Sequence, residues 1–358
     1  MINFNFSVLL PLVVSFLITT AITPVSILFI KRFKIMDDPA KHKHPAMLHK
    51  NPIPRGGGIP LFLGVFLTSL LFLPMTKIMT ALFIASFISL AVGVLDDKYD
   101  VSPYIRFLIN IFCAVFVVYF GANIPFITNP FGGILYLNSM NLPFIHGVDL
   151  SFLPEVIAVL WIVWVMNMLN WSKGVDGQMP GIVAISATVI GVLSLRFSHL
   201  DTTSAMVATL SFIIAGSSLG FLIFNFYPAK IFPGYGATSV YLLLAVVSIL
   251  SGAKLATAIL VMGVPLTDGA ITIVRRIMSG KSPFWHDKKH LHHLLLSLGF
   301  GQRRIALFYW IISAILGAIS LVLSSKGKLF AIIMLVIIAG GAILFLHFLI
   351  KRSDETRL

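Results

Sequence analysis

Residues 82–100 read Leu82-Phe83-Ile84-Ala85-Ser86-Phe87-Ile88-Ser89-Leu90-Ala91-Val92-Gly93-Val94-Leu95-Asp96-Asp97-Lys98-Tyr99-Asp100. The apolar run from Leu82 to Leu95 ends abruptly in three carboxylates within five residues. A carboxylate at the centre of a bilayer costs about 2.5–3.5 kcal/mol on insertion scales, whereas one at the end of a membrane helix meets water and avoids most of that cost. Adjacent acids also repel each other, and they are cheapest where a cation or basic side chains compensate them. The stretch therefore reads as a cation- and phosphate-handling site at a membrane surface, or as a polar helix end that stops the span.

The whole chain supports the membrane reading. Of its 358 residues 58% are hydrophobic and only 11% are charged, a composition that excludes an ordinary soluble domain. Residues 8–30 are apolar without a preceding basic residue, and Lys31, Arg32 and Lys34 follow them. This pattern predicts a retained first span rather than a cleaved leader. The single cysteine, Cys113, lies in an apolar run and predicts helix packing; no intramolecular disulfide is available.

Apolar stretches long enough to span fall at 8–30, 57–75, 78–95, 104–121, 153–171, 178–197, 203–225, 236–252, 254–274, 305–324 and 329–350. The expectation is an all-α polytopic membrane protein of about 11 transmembrane helices. With the N-terminus outside, only Lys77, Arg196, Lys254, Lys326 and Lys328 of the 26 Lys and Arg lie on the outer side, which fits the positive-inside rule. Asp37, Asp38, Asp96, Asp97, Asp100, Asp176, Asp268 and Asp287 share the inner side, while Asp149, Glu155 and Asp201 lie outside. Polar chemistry is thus expected at cytoplasmic loops. A net charge of +13 also suits anionic lipid or a multiply phosphorylated substrate. The chain reads as one integral membrane domain over 1–358. It carries an extracytoplasmic β-hairpin loop at 122–152, a cytoplasmic His-rich loop at 275–304 and a short, frayed cytoplasmic tail at 351–358.

Four inner stretches are too polar for their position. In His49-Lys50-Asn51-Pro52-Ile53-Pro54-Arg55-Gly56-Gly57-Gly58, prolines hold the chain extended and glycines permit close backbone approach; amides at a helix start beside Lys50 and Arg55 suit a phosphate, or the stretch is a basic connector. Asn167 and Asn170 lie three apart on one helix face, ahead of Lys173-Gly174-Val175-Asp176-Gly177. A turn with Lys230 leads into Gly234-Tyr235-Gly236-Ala237-Thr238. Asp287-Lys288-Lys289-His290-Leu291-His292-His293 suits phosphate, a nucleotide base or a transition metal, or is a solvated basic loop.

Taken in order, these motifs resemble the polyprenyl-phosphate N-acetylhexosamine-1-phosphate transferases, and the resemblance runs from about residue 30 to 305. It rests on His49 with Pro52 to Gly58, the Asp96-Asp97 pair, Asn167/Asn170/Asp176, Asn225 to Lys230 with Phe232, Pro265 to Asp268 with Arg275-Arg276, and Asp287 with His290-Leu291-His292-His293. The spaced histidines are more similar to the branch that initiates O-antigen and wall teichoic acid than to peptidoglycan translocase I. The resemblance implies transfer of an N-acetylhexosamine-1-phosphate from a UDP-sugar to undecaprenyl or another polyprenyl phosphate at the inner leaflet, with release of UMP. It implies Mg²⁺, with Mn²⁺ as the alternative ion. The implied partners are the lipid, the nucleotide sugar and the membrane rather than nucleic acid, and a homodimer stays open. By analogy Asp96 and Asp97 are catalytic, and Asn170 and Asp97 adjoin the metal. His49, Lys50, Arg55, Asn167, Asp176, Lys230, His290, His292 and His293 bind substrate.

The sequence departs from the family pattern in three places. Tyr235 stands where the family's Gly-Asp-Ser-Gly-Ser run has the acid that ligates Mg²⁺. Lys173 stands where bacterial members usually carry an acid, and Ala46-Met47 replaces a common basic pair. A neutral phenol is a poor ligand for a hard cation. Three outcomes are open: an active transferase in which Lys173 partly substitutes for the metal, a homologue that binds nucleotide sugar or lipid phosphate without turnover, and a transporter of lipid-linked intermediates on the same scaffold.

Overall fold

The structure, a computed structural model, describes residues 6–40, 49–129, 132–139, 151–197, 202–250, 255–285, 287 and 289–355. Ala46-Met47, Asp149, Asp201, Lys254 and Lys288, part of the 122–152 loop and the end of the tail lie outside the described residues.

Helices dominate. They are α1 (Phe6–Arg32), α2 (Gly58–Phe72), α3 (Lys77–Tyr99), α4 (Pro103–Tyr119), α5 (Leu153–Trp171), α6 (Gln178–Leu195), α7 (Thr202–Asn225), α8 (Thr238–Leu250), α9 (Leu255–Val261), α10 (Gly263–Met278), α11 (Leu291–Ser297), α12 (Gln302–Val322) and α13 (Ser325–Glu355). Seven helices among the described residues are long and apolar enough to cross a membrane, or eight if α9 and α10 count as one bent span; α2, α4 and Tyr235–Leu250 are shorter apolar helices. Strands β1 (Met36–Asp37) and β2 (Ile53–Pro54) pair antiparallel, as do β3 (Phe126–Thr128) and β4 (Ile134–Tyr136). The second pair is the hairpin that the two β-prone runs predict.

Core position follows from composition. Helix α8 is apolar on every side, and all its residues from Thr238 to Ile249 are buried, as expected of a central helix. It packs on α2, α3, α5, α6 and α7. Helix α13 instead turns Phe330, Ile337, Ile338, Leu344 and Phe345 outward. Where helices meet in lipid, small residues and hydroxyls supply the contact. The α1–α7 seam shows it: Ser15 donates to the Ile213 carbonyl at 2.8 Å, and Thr19 donates to the Ser217 hydroxyl at 2.9 Å.

Two expectations are corrected. The span predicted over 254–274 is broken: α9 and α10 meet at 81°. Pro265 explains it, since its ring excludes the carbonyl of Val261, where α9 stops. The His-rich loop is not continuous loop, because α11 begins at Leu291 directly after His290. Helix α13 itself runs past Lys351 to Glu355.

Candidate active site

Helix α3 carries its acids in its last turns. Asp100 closes the helix in the left-handed region (φ 51°), with its N–H on the Asp96 carbonyl, a conformation an Asp side chain tolerates. Asp96 and Asp97 are thereby held inside protein, with side chains fully enclosed. They line a cavity of about 980 Å³ with His49, Lys50, Arg55, Arg106, Asn167, Asn170, Lys173, Asp176, Tyr235, His290, His292 and His293. Of the residues assigned a role from sequence, Lys230 alone does not line it; it is exposed.

Each acid has a fixed guanidinium. Arg106 donates to Asp96 Oδ2 at 3.1 Å, and Arg55 Nη2 stands 3.8 Å from the same oxygen. Arg55 Nε lies 2.9 Å from Asp97 Oδ1, which also accepts the Tyr235 N–H at 2.7 Å. Burial works against the Arg55 charge, but Asp97, Asp37, Asp96 and Asp100 outweigh it and hold the guanidinium firmly protonated. The other oxygens, Asp96 Oδ1 and Asp97 Oδ2, are buried without a partner, as is Asn170 Oδ1.

The loop ahead of α8 is wedged close to the acids. Gly234 has φ 66°, a left-handed conformation that glycine adopts freely, and a Cβ there would lie 2.0 Å from Asp97 Oδ2. Its carbonyl accepts the Lys173 ammonium at 2.9 Å. The Lys173 Nζ is 5.7 Å and the Arg106 guanidinium 5.1 Å from the centre of the Tyr235 ring, within cation–π reach. The Tyr235 hydroxyl accepts from Asn110 Nδ2 at 3.0 Å. Lys173 is walled in by protein except toward the cavity. Burial, with Arg55, pushes its ammonium down to about 7 against the pull of Asp97 and Asp96.

The expected phosphate cradle at Gly56 to Gly58 has a different use. Gly56 and Gly57 donate to the Phe232 carbonyl at 3.3 and 2.9 Å, and Gly58 donates to the Pro233 carbonyl at 2.9 Å. The glycines thus seat the 232–236 loop on the start of α2. Asn225 ties a second loop down: its Oδ1 accepts from Gly177 N–H at 3.1 Å, and its Nδ2 donates to the Ile231 carbonyl at 2.8 Å. Asp176 accepts the Ala229 N–H at 2.9 Å, and burial raises its carboxyl above the usual range despite that bond and nearby His49. The His49 ring lies 5.0 Å from Phe232, with Nε2 3.2 Å from the Asp37 carbonyl. Asn167 spends its amide on the Val163 carbonyl at 2.8 Å.

The histidine cluster packs against the Trp171–Gly174 segment beside Lys173. Asp268 bonds His290 Nδ1 at 2.8 Å and accepts Leu291 N–H at 2.9 Å. The His290 and His292 rings stack at 5.6 Å, and His293 lies 4.2 Å from His292. Burial holds His292 well below the ordinary histidine value, so its ring is neutral. Asp287 takes Arg275 at 3.0 Å and Arg276 at 3.1 Å. Despite burial, the Arg276 bond, the Lys289 N–H and the two charges bring its carboxyl down to about 2.

Sequence reasoning gave no site role to Arg106, Asn110 or Asp268. A basic residue in the first turn of the helix after the acid pair was the available signal for Arg106. Nothing local marks Asn110, whose partner is 125 residues away.

Mg²⁺ takes near-octahedral oxygen ligands, mostly carboxylate, water and substrate phosphate. Three unpartnered oxygens are present, on Asp96, Asp97 and Asn170. Both acids already carry guanidinium charge, position 235 offers a phenol bonded elsewhere, and an ammonium sits on Gly234. Among the described residues no group of three His, Cys, Asp or Glu is placed to hold a metal. This donor set does not fit Mg²⁺.

Residues 79–252 match the family described as glycosyl transferase family 4. The chain is 32% identical over 340 residues to the "Probable undecaprenyl-phosphate N-acetylglucosaminyl 1-phosphate transferase" of Bacillus subtilis, covering 91% of this chain and 88% of that protein. It is 30% identical to the decaprenyl-phosphate N-acetylglucosaminephosphotransferase of Mycobacterium tuberculosis, over 86% of this chain and 81% of that one. It is 24% identical to the phospho-N-acetylmuramoyl-pentapeptide-transferase of Staphylococcus carnosus, over 86% and 97%.

Proposed function

The chain belongs to glycosyl transferase family 4, and from that membership we propose that it transfers N-acetylglucosamine-1-phosphate from UDP-N-acetylglucosamine to a polyprenyl phosphate. An oxygen of the lipid phosphate forms a bond to the sugar-linked β-phosphorus. The bond from that phosphorus to the bridging oxygen breaks, and UMP leaves with that oxygen. The products are UMP and a polyprenyl-diphosphate sugar that initiates an envelope glycan. Such a transfer between two anions depends on positioning and charge neutralisation.

The observation that carries the reading is the acid pair: two buried carboxylates, each with one oxygen paired and one free, on a cavity wall that also bears Arg55, Arg106 and Lys173. Asp96 Oδ1 takes the proton of the lipid phosphate or orients it, and the three cations accept the phosphates. Asp97 Oδ1 holds the Tyr235 backbone and so fixes the loop under the site. On the same cavity, Asp268 orients His290, and His290, His292 and His293 face the nucleotide-sugar diphosphate with His49 and Lys50. Asp176 and Asn167 border the nucleotide.

In this reading the three shorter apolar helices cross as well, giving eleven spans with the N-terminus outside and the cavity at the cytoplasmic face of the cell membrane. The β3–β4 hairpin then lies outside. UMP release by purified protein in nanodiscs, with polyprenyl phosphate and UDP-N-acetylglucosamine, tests the reading. Lipid-dependent UMP release that Asp96→Asn abolishes is expected. Binding of both substrates without UMP would instead establish the homologue without turnover, which the Tyr235 and Lys173 substitutions favour as the second reading.

A further inference from the structure

Three basic side chains are built into the acid pair's surroundings. Arg55 and Arg106 are paired to Asp97 and Asp96 at 2.9 and 3.1 Å. The third, Lys173, has no carboxylate within ion-pair distance among the described residues and is held by a neutral carbonyl, that of Gly234. An ammonium has three N–H donors, so this contact leaves two of them for a ligand. Lys173 is therefore the one of the three basic groups not paired with an acid, and it lines the cavity.

The loop that holds Lys173 is shaped around that arrangement. Gly234 turns its carbonyl to the ammonium, and the next residue puts its ring beneath both Lys173 and Arg106. The Tyr235 hydroxyl is bonded to Asn110 at 3.0 Å, so the loop gives the cations an electron-rich ring and the cavity no oxygen ligand. A divalent ion using Asp97 Oδ2 or Asp96 Oδ1 would share its carboxylate with a guanidinium. Like charges so placed raise the cost of the added ion, and low-dielectric surroundings screen them poorly.

We propose that the Lys173 ammonium, seated on Gly234 beside Tyr235, serves as the phosphate counter-ion of this site, so that the chain binds its diphosphate substrate and turns over without a divalent cation. The turnover part of the inference rests on the transferase reading; the binding part does not. One ammonium is a weaker charge than Mg²⁺, and Arg106 and Arg55 supply the remainder from fixed positions.

The test uses the full chain in nanodiscs with three readouts: Mn²⁺ binding by electron paramagnetic resonance, UDP-N-acetylglucosamine binding by calorimetry in EDTA, and UMP release with EDTA or Mg²⁺. The wild type should bind no Mn²⁺ saturably, and should bind the nucleotide sugar and release UMP equally in EDTA and in Mg²⁺. Lys173→Met should weaken nucleotide-sugar binding in EDTA by ~10-fold or more, a change of about 1.4 kcal/mol, and Lys173→Arg should restore part of it. Lys173→Asp with Tyr235→Asp should acquire Mn²⁺ binding; should that variant not fold, the Met and Arg pair decides alone. Saturable Mn²⁺ binding by the wild type, or nucleotide-sugar binding that needs a divalent ion, overturns the inference. Absence of UMP under every condition overturns the transferase reading, while metal-free, Lys173-dependent binding would still uphold the counter-ion.

Discussion

Lys173 Nζ lies 2.9 Å from the Gly234 carbonyl, which ties the loop after α5 to the loop before α8 through one ammonium. That placement has a consequence for stability. Burial and Arg55 push the group down to about 7 from an ordinary 10.5. Between those values the unfolded chain holds the extra proton, so folding stability should rise as pH climbs from about 7 toward 10.5. Thermal unfolding of the detergent-solubilised protein across that window should show the rise, and Lys173→Met should flatten it. An equal slope in the variant would place the titration elsewhere.

Asp268 orients His290 at 2.8 Å and caps Leu291 at 2.9 Å, so it acts through its neighbours and not on substrate. Asp268→Asn preserves the shape but removes the charge that fixes the imidazole tautomer. UMP release should fall, because His290 loses the charge that orients it. The loss should fall mainly on kcat, with a shifted pH profile and little change in KM. An unchanged pH profile with a lower melting temperature would reduce Asp268 to a structural role.

Asp287 holds Arg275 and Arg276 at 3.0 and 3.1 Å and so anchors the segment ahead of the histidines to α10. With its carboxyl held at about 2 instead of 3.8, its contribution is fully present above the ordinary value and is lost as pH falls toward about 2. Asp287→Asn should lower stability by about 1–3 kcal/mol, as expected where charged donors lose their acceptor, and should remove that acid sensitivity. Denaturant unfolding at neutral and acid pH checks both.

Much of the site is legible in the sequence because its polar residues stand in apolar surroundings. Asp96, Asp97, Asn170 and Asp176 announce themselves that way, and all four line the cavity. What stays hidden is long-range pairing. The glycines after Arg55 read as a phosphate cradle until Phe232 and Pro233 are seen to occupy their N–H groups. Lys230 belongs to the right loop but points away, since the turn that follows Asn225 decides its direction. The α9–α10 break was written in Pro265, yet a hydropathy window averages over it.

Close packing at Gly93 offers the sharpest check on how the site is assembled. This glycine lies on α3, one turn before Asp96-Asp97, and faces the loop that carries Tyr235. A Cβ at Gly93 would meet the Gly236 Cα and N at 2.4 Å, and these are backbone atoms that cannot turn aside. Gly93→Ala should therefore push the 234–236 loop away from α3 and cost about 1–3 kcal/mol, the usual range for overpacking a filled interior. The displaced loop would take the Tyr235 N–H from Asp97 and the Gly234 carbonyl from Lys173. Activity and nucleotide-sugar binding should drop together, more than the stability loss alone explains at a temperature where the variant remains folded. Gly341→Ala is the control, because nothing stands within 4 Å of an added Cβ there. Equal effects of the two substitutions would show that α3 and the Tyr235 loop are not the coupled pair that the contact implies.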